Sequence, residues 1–295
     1  MNKNYEIILP SGGPVEVKTQ NDFFRLPFVM LSIAKRMSGK TCSMSNFLKI
    51  LHGMDRLDRV ILVSPTYSNN SHYFDKLPLD VENDVIEPTI DAAQIIMDKM
   101  EEEGQLYNKY FEDLERWKTL MKMVKNKKID INDIEDDYFE DFNDQLEKPT
   151  YKYMRGGKAY KPVVVAFFDD CQNTMAFSPK SKVSYLTIKH RHVGKTIHKS
   201  IGINLMFACQ NYTSNSGGIP RTIRGNVTIL CVFKNKNLGE LQLIGLECSG
   251  ECDVNKFMEV FEEATKEDYG FLTIDFNRKK EHPSMFRKCW NEWLI

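Results

Sequence analysis

Five short apolar runs punctuate the chain: Phe28–Ile33, Arg59–Ser64, Val163–Phe168, Asn204–Ala208 and Val227–Phe233. They are rich in Val, Ile, Leu and Phe, and they do not alternate cleanly between apolar and polar positions. That pattern predicts strands covered on both faces, as in a parallel sheet. Segments with helical spacing separate them, among them Cys42–Leu51. The expected fold class is therefore α/β, a central mostly parallel sheet flanked by helices.

Residues 91–150 break this rhythm. Tyr107, Tyr110, Leu114, Trp117, Met121 and Val124 recur at spacings of three and four, which places them on one helical stripe. Lys125-Asn126-Lys127-Lys128 ends the stripe, as basic residues suit a helix C-terminus. An acidic stretch follows. The segment reads as an inserted helical arm whose stripe packs on the parent domain or on a neighbouring subunit. Residues 241–295 read as a C-terminal extension packed on the core, with Phe271–Phe276 as an edge strand and Trp290 and Trp293 near its end. With no internal repeat, the 295 residues are expected to form one domain with an insertion.

Composition narrows the class. Apolar residues make up 42% and charged residues 27%, ordinary for a globular protein. There is no uninterrupted apolar run of membrane-spanning length. The first residues, MNKNYEIILPSGG, lack the apolar centre of a signal peptide, so the expectation is a reducing interior. The seven cysteines, 42, 171, 209, 231, 248, 252 and 289, are odd in number and irregular in spacing, which argues against a disulfide framework. Cys248 and Cys252 with His282 and Cys289 do not match paired zinc-ligand spacing, and buried thiols are the preferred reading.

The net charge of −1 hides an asymmetry. From Cys171 to Gly239 there is no Asp or Glu, whereas ten Lys or Arg occur there: 180, 182, 189, 191, 195, 199, 221, 224, 234 and 236. Residues 129–147 hold nine Asp or Glu and no Lys or Arg. Such separation fits a basic surface that meets a polyanion. A solvated basic face fits the composition equally.

Chemistry concentrates in Ala34-Lys35-Arg36-Met37-Ser38-Gly39-Lys40-Thr41. This segment follows an apolar run and precedes a helical one. A phosphate-binding loop needs that order, because amides of the loop and first helical turn then point at an anion, with the helix dipole adding to the attraction. The whole loop, Ala34 to Cys42, is the candidate nucleotide site. Lys40 would reach the β- and γ-phosphates, and the Thr41 hydroxyl would ligate Mg²⁺. The usual pattern begins with Gly, where this chain has Ala34, a small residue that can still close the loop if its φ is negative. A second triplet, Gly194-Lys195-Thr196, follows Ile188-Lys189-His190-Arg191-His192, which is no buried strand, and so is set aside.

The run Lys161–Ala166 leads through Phe167-Phe168 into Asp169-Asp170. A strand ending in paired carboxylates can hold magnesium through water with the first, Asp169. The second, Asp170, then orients or deprotonates the attacking water. The next apolar run, Ile203–Cys209, ends in Gln210-Asn211. Gln210 is placed to contact the γ-phosphate or the water, as in motors with an additional strand between the two nucleotide-binding strands; an ordinary strand-end amide is the alternative. Ring motors complete their sites with an Arg from the next subunit. Arg224, in Ile219-Pro220-Arg221-Thr222-Ile223-Arg224-Gly225-Asn226, is the first candidate and Arg191 the second, against plain surface charge or DNA contact.

Together these segments resemble the FtsK–HerA superfamily of DNA-pumping ATPases, and more narrowly the poxvirus-type genome-packaging ATPases of large DNA viruses and virophages. AKRMSGKT, VILVSPT at Val60–Thr66, VVVAFFDDCQ, KHRHVGKTI leading into MFACQNY, and IPRTIRGNVT running into VFKNKN carry the resemblance in the family's order, over about residues 24 to 240. It implies a P-loop NTPase fold of the additional-strand type, ATP and Mg²⁺ as cofactors, and a homo-oligomeric ring, a pentamer or hexamer, with sites at subunit interfaces. It further implies double-stranded DNA and viral capsid proteins as partners, no membrane span, and a place in the host cytoplasm or the virion. A P-loop small-molecule kinase, a cellular-type DNA translocase or helicase, and a scaffold with a decayed loop are the competing readings.

Overall fold

The computed structural model describes residues 4–8, 14–18, 23–126, 148–213, 219–248, 250 and 252–294. The acidic stretch 129–147 and most of the loop after Tyr212 lie outside the described residues.

Nine strands form the central sheet: β1 Val29–Ile33, β2 Arg59–Val63, β3 Val85–Ile86, β4 Val164–Asp169, β5 Asn204–Cys209, β6 Ile229–Phe233, β7 Phe271–Asp275, β8 Phe286–Lys288 and β9 Glu292–Leu294. Their spatial order is β9-β8-β7-β6-β1-β5-β4-β2-β3. Strands β1 to β6 run parallel, and β7, β8 and β9 add antiparallel at one side. The strand β5 lies between β1 and β4, so an additional strand separates the two expected nucleotide-binding strands.

The five apolar runs became parallel strands because both faces of the sheet are covered. The helices longer than four residues are α1 Lys40–Gly53, α2 Ala92–Lys125, α3 Val183–Lys189, α4 Leu238–Glu247 and α5 Val254–Ala264. One sheet face, with Leu31, Ile61, Phe168 and Phe207, packs on the start of α2 and on α3, α4 and α5. The other, with Met30, Leu62, Phe167 and Met206, packs on α1 together with Phe23, Phe24 and Trp290. Asn204 is buried at the start of β5, where Oδ1 accepts from Phe28 N (3.0 Å) and Nδ2 donates to Val164 O (2.9 Å). That side chain pins the strands on either side of β5.

Two features differ from the sequence reading. Phe271–Phe276 is not an edge strand: β7 is interior, with β8 and β9 beyond it. The charge in Phe286-Arg287-Lys288 hides a strand. Arg287 is nonetheless 3% exposed, stacked 4.3 Å from Phe24 and 4.0 Å from Trp293, and 3.6 Å from Asp275. Pairing and stacking make a buried guanidinium tolerable. The second difference concerns the arm. Helix α2 is 34 residues long and starts inside the main core, where Ala92, Ala93, Ile96 and Met100 are buried. Only farther on do Tyr107 and Tyr110 leave the core to pack against Tyr151.

The second Gly-Lys-Thr triplet holds this helix in place. Lys195–Thr196 pairs with Lys199–Ser200 in a hairpin. The amides of Gly194 and Lys195 donate to the Glu101 carboxylate at 3.2 Å each, and Asn108 bonds Lys195 O and Ile197 N. The triplet grips a carboxylate of its own chain. None of the described helices is long and apolar enough to cross a membrane. No group of three metal-ligating side chains occurs among the described residues, and Cys248 is a buried thiol.

Candidate nucleotide site

The loop between β1 and α1 begins at Ala34, which is 2% exposed and whose amide donates to Cys209 O at 3.0 Å. This bond ties the loop to the end of β5. Ala34 is outside the positive-φ set; the left-handed positions are Met37 (φ 61°) and Gly39 (φ 78°). The Ala substitution at the first position is therefore compatible with the turn, whose reversal falls on later residues. Ser38 Oγ donates to Lys35 O (2.7 Å), closing the loop on itself. Gly39, the N-cap of α1, has no side chain to bond the first-turn amides. An uncapped helix start with a left-handed Gly before it is an anion seat.

Across the loop stands the end of β4. Thr41 Oγ1 donates to Asp169 Oδ1 and Oδ2 at 3.0 and 3.1 Å. That leaves the oxygen's lone pairs free to serve a cation. Asp169 is fully buried, and burial pushes its carboxyl up to about 6, against the opposing pull of Lys40 and the Thr41 hydroxyl. Asp170 takes a left-handed conformation (φ 54°), which turns its carboxylate out of the strand. Its Oδ1 lies 3.7 Å from Lys40 Nζ and accepts from Gln210 Nε2 at 3.0 Å. The neighbouring thiols are inert: burial raises Cys171, whose Sγ donates to Val63 O, and lifts Cys209 to about 12.

These groups surround a cavity of about 450 Å³, lined by every residue from Lys35 to Cys42 and by Asp170 and Gln210. Its volume lies in the range of small-molecule sites. The structure thus brings together Lys40, Thr41, Asp169, Asp170 and Gln210. It does not bring either arginine to this cavity. Arg191 is exposed. Arg224 sits in a second cavity of about 380 Å³ with Tyr212, Arg221 and Glu247. There its guanidinium lies 5.0 Å over the Tyr212 ring and 3.7 Å from Glu247.

Several residues of the site were not singled out by the sequence. Thr66, Asn70 and Tyr73 also line the cavity. Thr66 ends the VILVSPT segment that carried part of the resemblance, but nothing in the sequence marked Asn70 or Tyr73. Asn211 accepts from Lys35 Nζ at 2.8 Å, joining the loop to the end of β5.

No family model matches this chain, and no curated protein matches it. Among solved structures it is similar to the genome packaging NTPase B204 of Sulfolobus turreted icosahedral virus 2 in complex with ATPγS, at 10% identity over 92% of this chain and 100% of that one, TM-score 0.45. It is similar to the cytoplasmic domain of the type VII secretion ATPase EccC of Thermomonospora curvata, at 11% identity over 98% of this chain and 28% of that one, TM-score 0.42. It is also similar to the pCW3 conjugation coupling protein TcpA, monomer form with ATPγS, at 12% identity over 98% of this chain and 67% of that one, TM-score 0.42. The strand order and the loop, rather than these distant likenesses, define the class. The chain is a P-loop α/β protein of the additional-strand type, a large mostly parallel sheet flanked by helices.

Proposed function

We propose that this chain is an ATP-hydrolysing motor subunit that drives double-stranded DNA into a viral capsid. The observation that carries the hydrolytic part is the meeting of two elements in one cleft. The start of α1 presents Lys40 and Thr41, and the end of β4 presents Asp169 and Asp170, with Thr41 hydrogen-bonded to Asp169.

In this reading the amides of Ser38 to Thr41 cradle the phosphates and Lys40 neutralises charge on the transferring group. Thr41 and Asp169 would hold Mg²⁺, which supplies Lewis-acid polarisation of the phosphate oxygens. Asp170 accepts a proton from water as the water oxygen attacks the γ-phosphorus. The bond to the β–γ bridging oxygen breaks, releasing ADP and phosphate. Gln210, already on Asp170, sits where it can sense the γ-phosphate. Because neither arginine lines the cleft of its own chain, a finger would come from a neighbouring subunit of a ring, Arg224 first and Arg191 second. Arg224 would have to leave Tyr212 and Glu247 to act so, whereas Arg191 is already exposed.

The DNA part rests on the acid-free stretch from Cys171 to Gly239 and on the sequence resemblance, which also supplies the capsid and the ring. Within that stretch Lys180, Arg191, Lys195 and Lys199 are exposed. Contacts to backbone phosphate alone predict sequence-independent, salt-sensitive binding. The test is ATP turnover with and without blunt duplex DNA at rising salt. Stimulation by any duplex, fading as salt increases, supports the motor. Turnover indifferent to DNA, or transfer of phosphate to a small acceptor, removes it in favour of a kinase.

A further inference from the structure

We propose that Gln172 is a positioning residue for phosphoryl transfer, clamping the end of β5 so that Gln210 meets Asp170 and Asn211 meets Lys35; this rests on the hydrolytic reading above. Gln172 is 8% exposed and lies outside the lining of the nucleotide cavity. Its carboxamide makes three bonds to the backbone across from it. Oε1 accepts from Gln210 N at 2.7 Å and from Asn211 N at 3.1 Å, and Nε2 donates to Asn211 O at 3.2 Å.

Those backbone groups need such a partner. The ladder of β5 ends at Cys209, whose carbonyl takes the Ala34 amide. Gln210 and Asn211 therefore emerge from the sheet with their amides unpaired by any strand, and Gln172 supplies their acceptor. A carboxamide can accept two N–H bonds and donate one in the same plane. Leu keeps the size and makes none of the three; Glu keeps the acceptor and loses the donor.

The geometry converts this clamp into a catalytic consequence. Gln210 Nε2 reaches Asp170 Oδ1 at 3.0 Å, and Lys35 Nζ reaches Asn211 Oδ1 at 2.8 Å. One side chain thus sets the position of two amides, one on the proton-accepting carboxylate and one on the phosphate loop. On the far side the strand end is held by Glu240, which accepts from Tyr212 N and Thr213 N at 2.6 and 3.1 Å. The strand end is fixed from both flanks, and only the Gln172 flank touches the reacting groups. Displacement of a supporting contact of this kind costs about 10–100-fold in affinity or activity; because Gln172 lies outside the cavity lining, the loss is expected in rate.

A double-mutant cycle on the full chain tests it. ATP turnover and binding of a non-hydrolysable ATP analogue with Mg²⁺ are measured for the wild type, Gln172→Leu, Gln210→Ala and the pair. The expected result is a kcat lower by about 10–100-fold in Gln172→Leu, analogue affinity within about threefold of wild type, and a double variant no more than about twofold below Gln210→Ala. Losses that multiply, a kcat within about twofold of wild type, or a loss that appears in analogue affinity would overturn the role. Should Gln172→Leu not fold, Gln172→Glu carries the same cycle with a smaller expected loss. A wild type that turns over ATP while the cycle is additive sinks this inference alone, whereas a wild type with no turnover sinks the hydrolytic reading with it.

Discussion

Lys40 and Asp170 stand 3.7 Å apart in the cleft, yet the proposed mechanism gives them different steps. Lys40 serves the transferring phosphoryl group, so Lys40→Ala is expected to lower kcat by about 10²–10³-fold and to weaken nucleotide binding. Asp170 serves only the water, so Asp170→Asn should keep ATP bound while turnover falls by about 10²–10⁴-fold. Single-turnover hydrolysis beside an equilibrium titration separates the two; equal loss of binding in both variants would contradict the assignment. Asp169 adds a pH signature. Burial raises its carboxyl to about 6, above its value in an unfolded chain. The folded state therefore holds that proton more tightly. The stability this contributes is present at low pH and is lost as pH rises through about 6. Without metal, Asp169→Asn should melt above the wild type at pH 7.5 by a few degrees, about what 1 kcal/mol produces in a chain this large; the gap should narrow as pH falls through about 6 and close only below the ordinary carboxylate value of 3.8. Saturating Mg-ATP should reverse the ranking at pH 7.5, because on the proposed reading a charged carboxylate holds the metal more tightly than a neutral amide.

Among the elements, the parallel strands and the strand–loop–helix at Ala34 to Thr41 were legible in the sequence for a shared physical reason. Strands covered on both faces must be apolar throughout, and a loop that seats phosphate must place Gly, Lys and Thr at a helix start. The position of β5 between β1 and β4 was expected from the likeness to additional-strand motors rather than from the spacing of its residues. What the sequence concealed were elements whose burial depends on partners far along the chain. Strand β8 carries Arg287, tolerable only because Phe24, Trp293 and Asp275 surround it. Gln172 looks like any polar residue after a strand until β5 arrives beside it. The start of α2 likewise reads as part of an arm, although Ala92 to Met100 fill the core. Gly104 marks how closely α2 is held: a Cβ there would lie 2.6 Å from Lys195 O and 2.9 Å from Gly194 C, both backbone atoms. Gly104→Ala should therefore destabilise the chain by about 1–3 kcal/mol through overpacking, read as a lower urea midpoint. An unchanged midpoint would mean that the hairpin at Lys195 is free to move off the helix.

At the scale of the whole molecule, charge is segregated along the chain, and the cleft of Lys40 and Asp170 lies at the ends of the central strands β1, β5 and β4. In the proposed motor the ring, the DNA path and the finger would come from joining copies, and each would depend on ATP first being seated on one chain. A structure of the chain with Mg²⁺ and a non-hydrolysable ATP analogue tests that seating most directly. The account predicts the triphosphate on the amides of residues 38 to 41, with Lys40 on its terminal phosphates and the metal beside Thr41 on the Asp169 side. A nucleotide bound elsewhere, or a metal held away from Thr41 and the two carboxylates, would contradict it.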